Sequence, residues 1–182
     1  MKKDVFDPIT GQVYSLEHLH RFEVSYSIKV EGKEMDVPLM IFFSDHCYTE
    51  TRKDSHPESA VILREEKRHG IIDERVFCQQ RWHFSKHLPE IIKNLHSKRC
   101  HLGDNEVFYR QEESPPRNSH AGWYICIKLS VSERHKNLTL SVRSVHWREN
   151  RPLGVLRGGP RPFFAILANF YKKQLKERDW LE

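Results

Sequence analysis

No apolar stretch in the chain approaches the length of a membrane span, and the basic start Met1-Lys2-Lys3 is not followed by the apolar segment of a signal peptide. A cytoplasmic protein without a membrane partner is therefore expected. Cysteine is scarce: Cys47, Cys78, Cys100 and Cys126 are widely spaced, form no CxxC pair, and should stay reduced in that compartment. Glycine is scarce too, with 8 residues, and none falls in a P-loop or in a GxGxxG that follows a strand. Gly154 to Gly159 lacks the strand, lysine and helix context that cradles a nucleotide. With HExxH also absent, nucleotide-driven, dinucleotide and zincin chemistries drop out. There is no internal repeat and no low-complexity tract.

What remains is a polar, basic and histidine-rich chain. Its 182 residues carry 30 Lys and Arg against 25 Asp and Glu, a formal charge of +5, together with 12 His. That length fits one domain with a core of its own. The charge favours an anionic partner such as RNA, DNA or an acidic protein without choosing among them. Imidazoles in this number supply proton carriers, metal ligands or pH sensors.

The clearest structural signal lies in Gly122 to Asn150. Trp123, Ile125, Ile127, Leu129 and Val131 alternate with polar residues, and Leu138, Leu140 and Val142 do the same after the polar run Ser132 to Asn137. This period of two predicts a long β-hairpin with one buried face. Val145 and Trp147 fall on the opposite parity, and a β-bulge near Arg143 or Ser144 explains the slip. Upstream, Phe22 to Val30 alternates as a strand, Glu31-Gly32-Lys33-Glu34 turns the chain, and Val37 to Phe43 reads as a more buried strand. Pro38, which cannot donate to a ladder, should mark an edge, a bulge or a strand entrance.

Ser44 to Thr49 is a polar loop at the end of that buried strand. Residues 1–20 read as an arm, and residues 51–70 as a charged, mobile excursion whose Arg64, Lys67, Arg68 and His69 are basic. An internal helix is expected from Phe84 to Lys98, with Ser85 as N-cap and Leu88, Ile91, Ile92 and Leu95 as its core stripe. Glu106 to Arg110 reads as a short strand. Gly158-Gly159-Pro160 should stop regular structure ahead of a C-terminal amphipathic helix that carries Phe163, Ile166, Leu167, Phe170 and Tyr171. Together these predict a single α+β domain: a mainly antiparallel sheet with an internal helix and a C-terminal helix packed on it.

Between Phe42 and Arg148 the chain resembles a family of small bacterial and mobile-element proteins known mainly as uncharacterised sequences. The resemblance rests on Phe43-Ser44-Asp45-His46-Cys47-Tyr48-Thr49, Cys78 with Arg81-Trp82, Ser85, Leu88-Pro89, Ile91-Ile92 and Leu95, Cys100, and Val142-Arg143-Ser144-Val145-His146-Trp147. It supplies no activity. The order of elements also resembles, more loosely, the RelE-like and barnase-like ribonuclease toxins, a topological likeness without a shared diagnostic motif.

A metal-independent ribonuclease needs a proton acceptor, a proton donor and cations for the developing phosphorane charge. His46, Tyr48, Arg143, His146 and Arg148 are the catalytic candidates, all at predicted strand ends. Arg110, Trp147, Lys172 and Lys173 are the nucleic-acid-binding candidates, with Trp147 free to stack on an unpaired base. Asp45, His46, Cys47, Cys78, His83, Cys100 and His101 are zinc-ligand types, but their spacing fits no standard finger, and neither metal nor cofactor is expected. Two functions stay open. One is a small cytosolic effector of a mobile-element, toxin-antitoxin or phage-defence system that binds or cuts RNA, with a protein partner or antitoxin beside it; the other is a non-enzymatic inhibitor or adaptor that binds a protein complex.

Overall fold

A computed structural model describes residues 3–103, 106–111, 120–132, 137–150 and 157–177. In chain order the elements are β1 (Val5–Asp7), β2 (Gln12–Tyr14), β3 (Phe22–Val30), β4 (Lys33–Phe43), β5 (Thr49–Thr51), β6 (Val61–Glu66) and β7 (Ile72–Phe77). There follow α1 (Gln79–Ser85), α2 (Leu88–Lys93), β8 (Arg99–Leu102), β9 (Val107–Gln111), β10 (Gly122–Ser132), β11 (Asn137–Arg148), β12 (Arg157–Pro162) and α3 (Phe163–Glu177). The main sheet has seven strands in the order β12-β8-β9-β10-β11-β4-β3, beside a three-stranded sheet β5-β7-β6 and the β1-β2 hairpin. The expected α+β class with its C-terminal helix is the one observed.

The alternating sequences form the centre of the main sheet. β10 and β11 pair antiparallel, with Ile125, Ile127, Leu140, Val142 and Val145 fully buried. β3 and β4 join through Glu31 and Gly32, both at positive φ, the pattern that matches the twist of a tight hairpin. β4 then lies parallel to β11, with Leu39 opposite Leu138 and Phe43 opposite Val142. Pro38 stands one residue ahead of that ladder, at its entrance. α3 covers the core through Phe163, Leu167 and Tyr171, and Tyr26 meets Phe163 edge-on while its phenol donates to the Ile92 carbonyl.

Three expectations change. The single helix of residues 84–98 is two short ones, and Ser85 ends α1 instead of capping a helix. The Pro89 ring clashes with a helical carbonyl four residues back, so a new helix starts at Leu88 with the proline in its first turn. Residues 51–70, read as a charged, mobile excursion, contain strand β6, which pairs with β7 across a register shift between Val61 and Leu63 and is flanked by ion pairs of Arg64 with Glu74 (2.9 Å) and Lys67 with Asp73 (2.6 Å). Gly158-Gly159-Pro160 does not stop the chain but lies inside β12. There the register to β8 shifts between Arg157 and Arg161, an irregular edge that tolerates glycine and proline. The predicted turn at 133–136, the loop at 112–119 and the break at Arg151-Pro152 lie outside the described residues.

The three-stranded sheet and the N-terminal hairpin are fastened to α1 by aromatic contacts. Tyr14 stacks on Phe77 (4.4 Å between centroids) and meets Trp82 edge-on, and the Trp82 indole donates to the Ser15 carbonyl at 2.9 Å. The residues read as an arm thereby bury Tyr14, Leu16 and Leu19.

Candidate functional site

The parity slip is a β-bulge with Arg143 as its extra residue: Cys126 faces Ser144 while Ile127 faces Val142. β4 ends against it. The Ser44 amide donates to the Val142 carbonyl at 2.9 Å, and the Ser44 hydroxyl donates to the Arg143 carbonyl. The same hydroxyl accepts from the His46 amide at 3.2 Å, capping the single turn Asp45–Cys47. The bulge therefore sets both the face on which residues 144–148 project and the position of His46.

Arg81 on α1 joins the two segments. Its Nη1 donates to the carbonyls of Thr49 (2.6 Å) and His46 (3.4 Å), and its Nη2 donates to His146 Nδ1 (2.9 Å). A guanidinium only donates, so His146 accepts at Nδ1 and its neutral ring carries hydrogen at Nε2. Burial, and after it the charges of Arg81 and Arg148, push His146 down to about 4. Burial followed by Arg75 pushes His46 to about 4 as well, with Asp73 opposing. His46 is also among the charges acting on His146, so the two rings stand within electrostatic reach of each other.

Behind them Arg75 is buried. It donates from Nε to the Thr49 hydroxyl (2.7 Å), from Nη2 to the Thr49 carbonyl (3.1 Å), and from Nη1 to Asp73 (3.3 Å). This network ties β5 to β7 within the three-stranded sheet.

Across the sheet, Arg110, Tyr124 and His146 occupy one row of β9, β10 and β11. Gly122 lies opposite Arg148 two register positions on. A Cβ at Gly122 would stand 2.8 Å from the Gln111 carbonyl oxygen and 3.3 Å from Arg110 Cγ, at a φ of +154° that L side chains rarely adopt. Gly122→Ala should therefore lower stability by about 1–3 kcal/mol and displace Arg110. Urea denaturation checks this, and an unchanged midpoint would contradict the close approach.

Trp147 goes to the other face. One residue from His146 in a strand, it packs edge-on against buried Trp123 (5.9 Å), which stacks on Phe84 (4.3 Å, 12°). At 38% exposure it lines a cleft of about 560 Å³ with Gln79, Gln80, His83 and His87. Gln79 and Gln80 on α1 and His87 between α1 and α2 were not among the candidates, and His83 was one only as a zinc-ligand type, because a polar helix face looks alike whether it meets solvent or lines a cleft.

The remaining candidates fall elsewhere. The Tyr48 phenol donates to Asp45 at 2.8 Å, and burial together with that carboxylate raises its pKa, so it holds its proton. Arg143 is exposed and acts electrostatically on Cys126. Lys172 and Lys173 sit on α3, with Lys173 at a separate cavity. Among the described residues no three His, Cys, Asp or Glu side chains are grouped to hold a metal ion. Cys47 and Cys100 are fully buried, and burial pushes the Cys100 thiol up to about 12. Among the described residues no helix is long and apolar enough to cross a membrane.

No curated protein and no solved structure matches the chain. A family model described as the YjaZ family matches residues 6–171, from the N-terminal hairpin into α3 and across every residue of the site, and the chain belongs to the YjaZ family.

Proposed function

We propose that the protein is a small effector that acts on RNA at the rim of the main sheet, phosphates on the Arg110, His146 and Arg148 face and an unpaired base in the Trp147 cleft. One observation carries the reading. Consecutive residues of β11 deliver imidazole and guanidinium to one side of the sheet and a partly exposed indole to the other, over a cleft whose glutamines and histidines match the edge of a base. The basic net charge agrees. The likeness to bacterial mobile-element sequences and the looser likeness to RelE-like and barnase-like toxins favour a cytosolic role in a mobile-element, toxin-antitoxin or phage-defence system.

Cleavage is the stronger form of this proposal. Both imidazoles are neutral at pH 7, as a general base must be, but neither then holds a proton for the leaving oxygen. A phosphate seated beside them would raise both pKa values and supply the missing acid. Binding is thus the primary activity, and metal-independent transesterification requires the bound state.

Titration of a labelled single-stranded RNA tests both levels. Wild type should bind with strong salt dependence. Trp147→Ala should lose about 1–3 kcal/mol of affinity, and Arg148→Gln should lower the salt slope by about 1. Absence of binding at low salt, or binding indifferent to both changes, would sink the reading. RNA that stays intact with wild type would remove cleavage, whereas cutting abolished by His46→Ala and by His146→Ala would establish it.

A protein-binding adaptor is the second reading, favoured by the β1-β2 hairpin. Phe6 and Val13 face each other across it at 54% and 65% exposure, beside Ile9 at 58%. Exposed apolar residues so grouped mark contact surfaces. A stable protein complex lost on Val13→Lys, together with no RNA binding, would select it.

A further inference from the structure

We infer that the cavity between α3 and the β8-β9-β10 end of the main sheet is a second binding site, for a small amphipathic anion: an apolar body carrying one carboxylate, sulfonate or phosphate. The cavity holds about 540 Å³, within the range of small-molecule sites. It arises from the way α3 is seated. Leaving β12, the helix runs close to β3 at the opposite edge of the sheet, which leaves its other flank standing off β8, β9 and β10.

The floor is apolar, with buried Val107 and Ile166 and half-buried Phe170. Cations reach the rim from three separate elements: Lys128 on β10, Arg161 on β12 and Lys173 on α3. Among the described lining residues the one carboxylate, Glu106, precedes β9 and interacts with the Cys126 thiol. Three cations against one acid give the rim a net positive potential over a floor that gains from covering by apolar atoms. A neutral apolar ligand would use only the floor, and an inorganic anion only the rim; a molecule with both parts uses both.

The site is separate from the RNA reading, since none of its lining residues belongs to the Trp147 cleft or to the imidazole cluster. The test is a fluorescence titration of the full chain with anilinonaphthalene sulfonate. One saturable site is expected, weakened about tenfold or more by Arg161→Gln with Lys173→Gln and unaffected by Lys29→Gln at an exposed position of β3. Because the two substituted side chains lie outside the core, the melting temperature should match wild type, and each single variant gives an independent second measurement. Neutral phenylnaphthylamine should bind at least about tenfold more weakly than the sulfonate. Equal binding of the neutral dye, or undiminished binding by the double variant, would overturn the proposal. Displacement of the dye by single-stranded RNA would assign the cavity to RNA and overturn it as well.

Discussion

Arg75→Met is expected to destabilise the protein by about 3–5 kcal/mol, a large share of the 5–15 kcal/mol typical of a domain. Arg75 is 3% exposed and Asp73 6%, so their ion pair is effectively dry. Removing the guanidinium strands a buried carboxylate on one remaining partner, Lys67 at 2.6 Å, and takes donors from both oxygens of Thr49. Arg81 continues to serve the Thr49 carbonyl, which softens the loss without replacing the charge. Pairing the change with Asp73→Leu should restore much of it, since the penalty lies in the unpaired charge more than in the loss of the pair. Urea denaturation of the two singles and the double measures the coupling. A single-variant loss below about 1 kcal/mol would mean that the three-stranded sheet is not held by this network.

The second large effect is a loss of stability on acidification between pH 6.5 and about 4. His46 and His146 both move from an ordinary 6.5 to about 4. In that window the unfolded chain binds protons that the folded chain refuses, so stability is full above pH 6.5 and falls as the pH drops towards 4. Each shift corresponds to about 3.4 kcal/mol at most. Both rings are partly solvated, and screening reduces this to about 1–2 kcal/mol apiece. His18, lowered by burial and then by Lys86, adds in the same direction.

Asp73, held below its ordinary value first by the hydrogen bond from Lys67, acts in the same sense as the lowered histidines but at lower pH: its contribution is present above the usual carboxylate range and is lost as the pH falls through its lowered value. The two windows are therefore separable. His46→Gln with His146→Gln should flatten the upper one, and glutamine at 146 can still accept from Arg81. Denaturation midpoints measured from pH 7.5 to 4 decide the matter. A slope unchanged in the double variant would show that the imidazoles titrate as in the unfolded chain.

Much of the fold was legible because it rests on local periodicity. Alternation placed β3, β4, β10 and β11, and the parity slip after Val142 pointed to a bulge near Arg143 or Ser144, of which the extra residue is Arg143. The internal helix was legible only as apolar spacing. Leu88, Ile92 and Leu95 are buried as that spacing predicts, but the break ahead of Pro89 was not read from it.

The candidate site was legible in part. His46 and His146 are within electrostatic reach, as strand ends on neighbouring elements can be, and Arg110 shares a row with His146. Trp147 was grouped with its chain neighbours and lies on the other face, because adjacent residues in a strand point to opposite sides. Arg75 and Asp73 were not among the candidates, since sequence cannot distinguish a charge facing solvent from one facing a buried partner.

By itself the sequence determined the α+β class, the strand periods, a parity slip near Arg143 or Ser144 and the aromatic and apolar positions that form the core, since each depends on neighbours a few residues away. Tertiary structure alone decided that β4 lies parallel to β11, that Gly158 to Pro160 can sit in an edge strand, and that Arg81 from α1 reaches both His46 and His146. Those outcomes depend on groups distant along the chain meeting in a dry interior. There burial and paired charge set their properties, and no local pattern records which partners will meet.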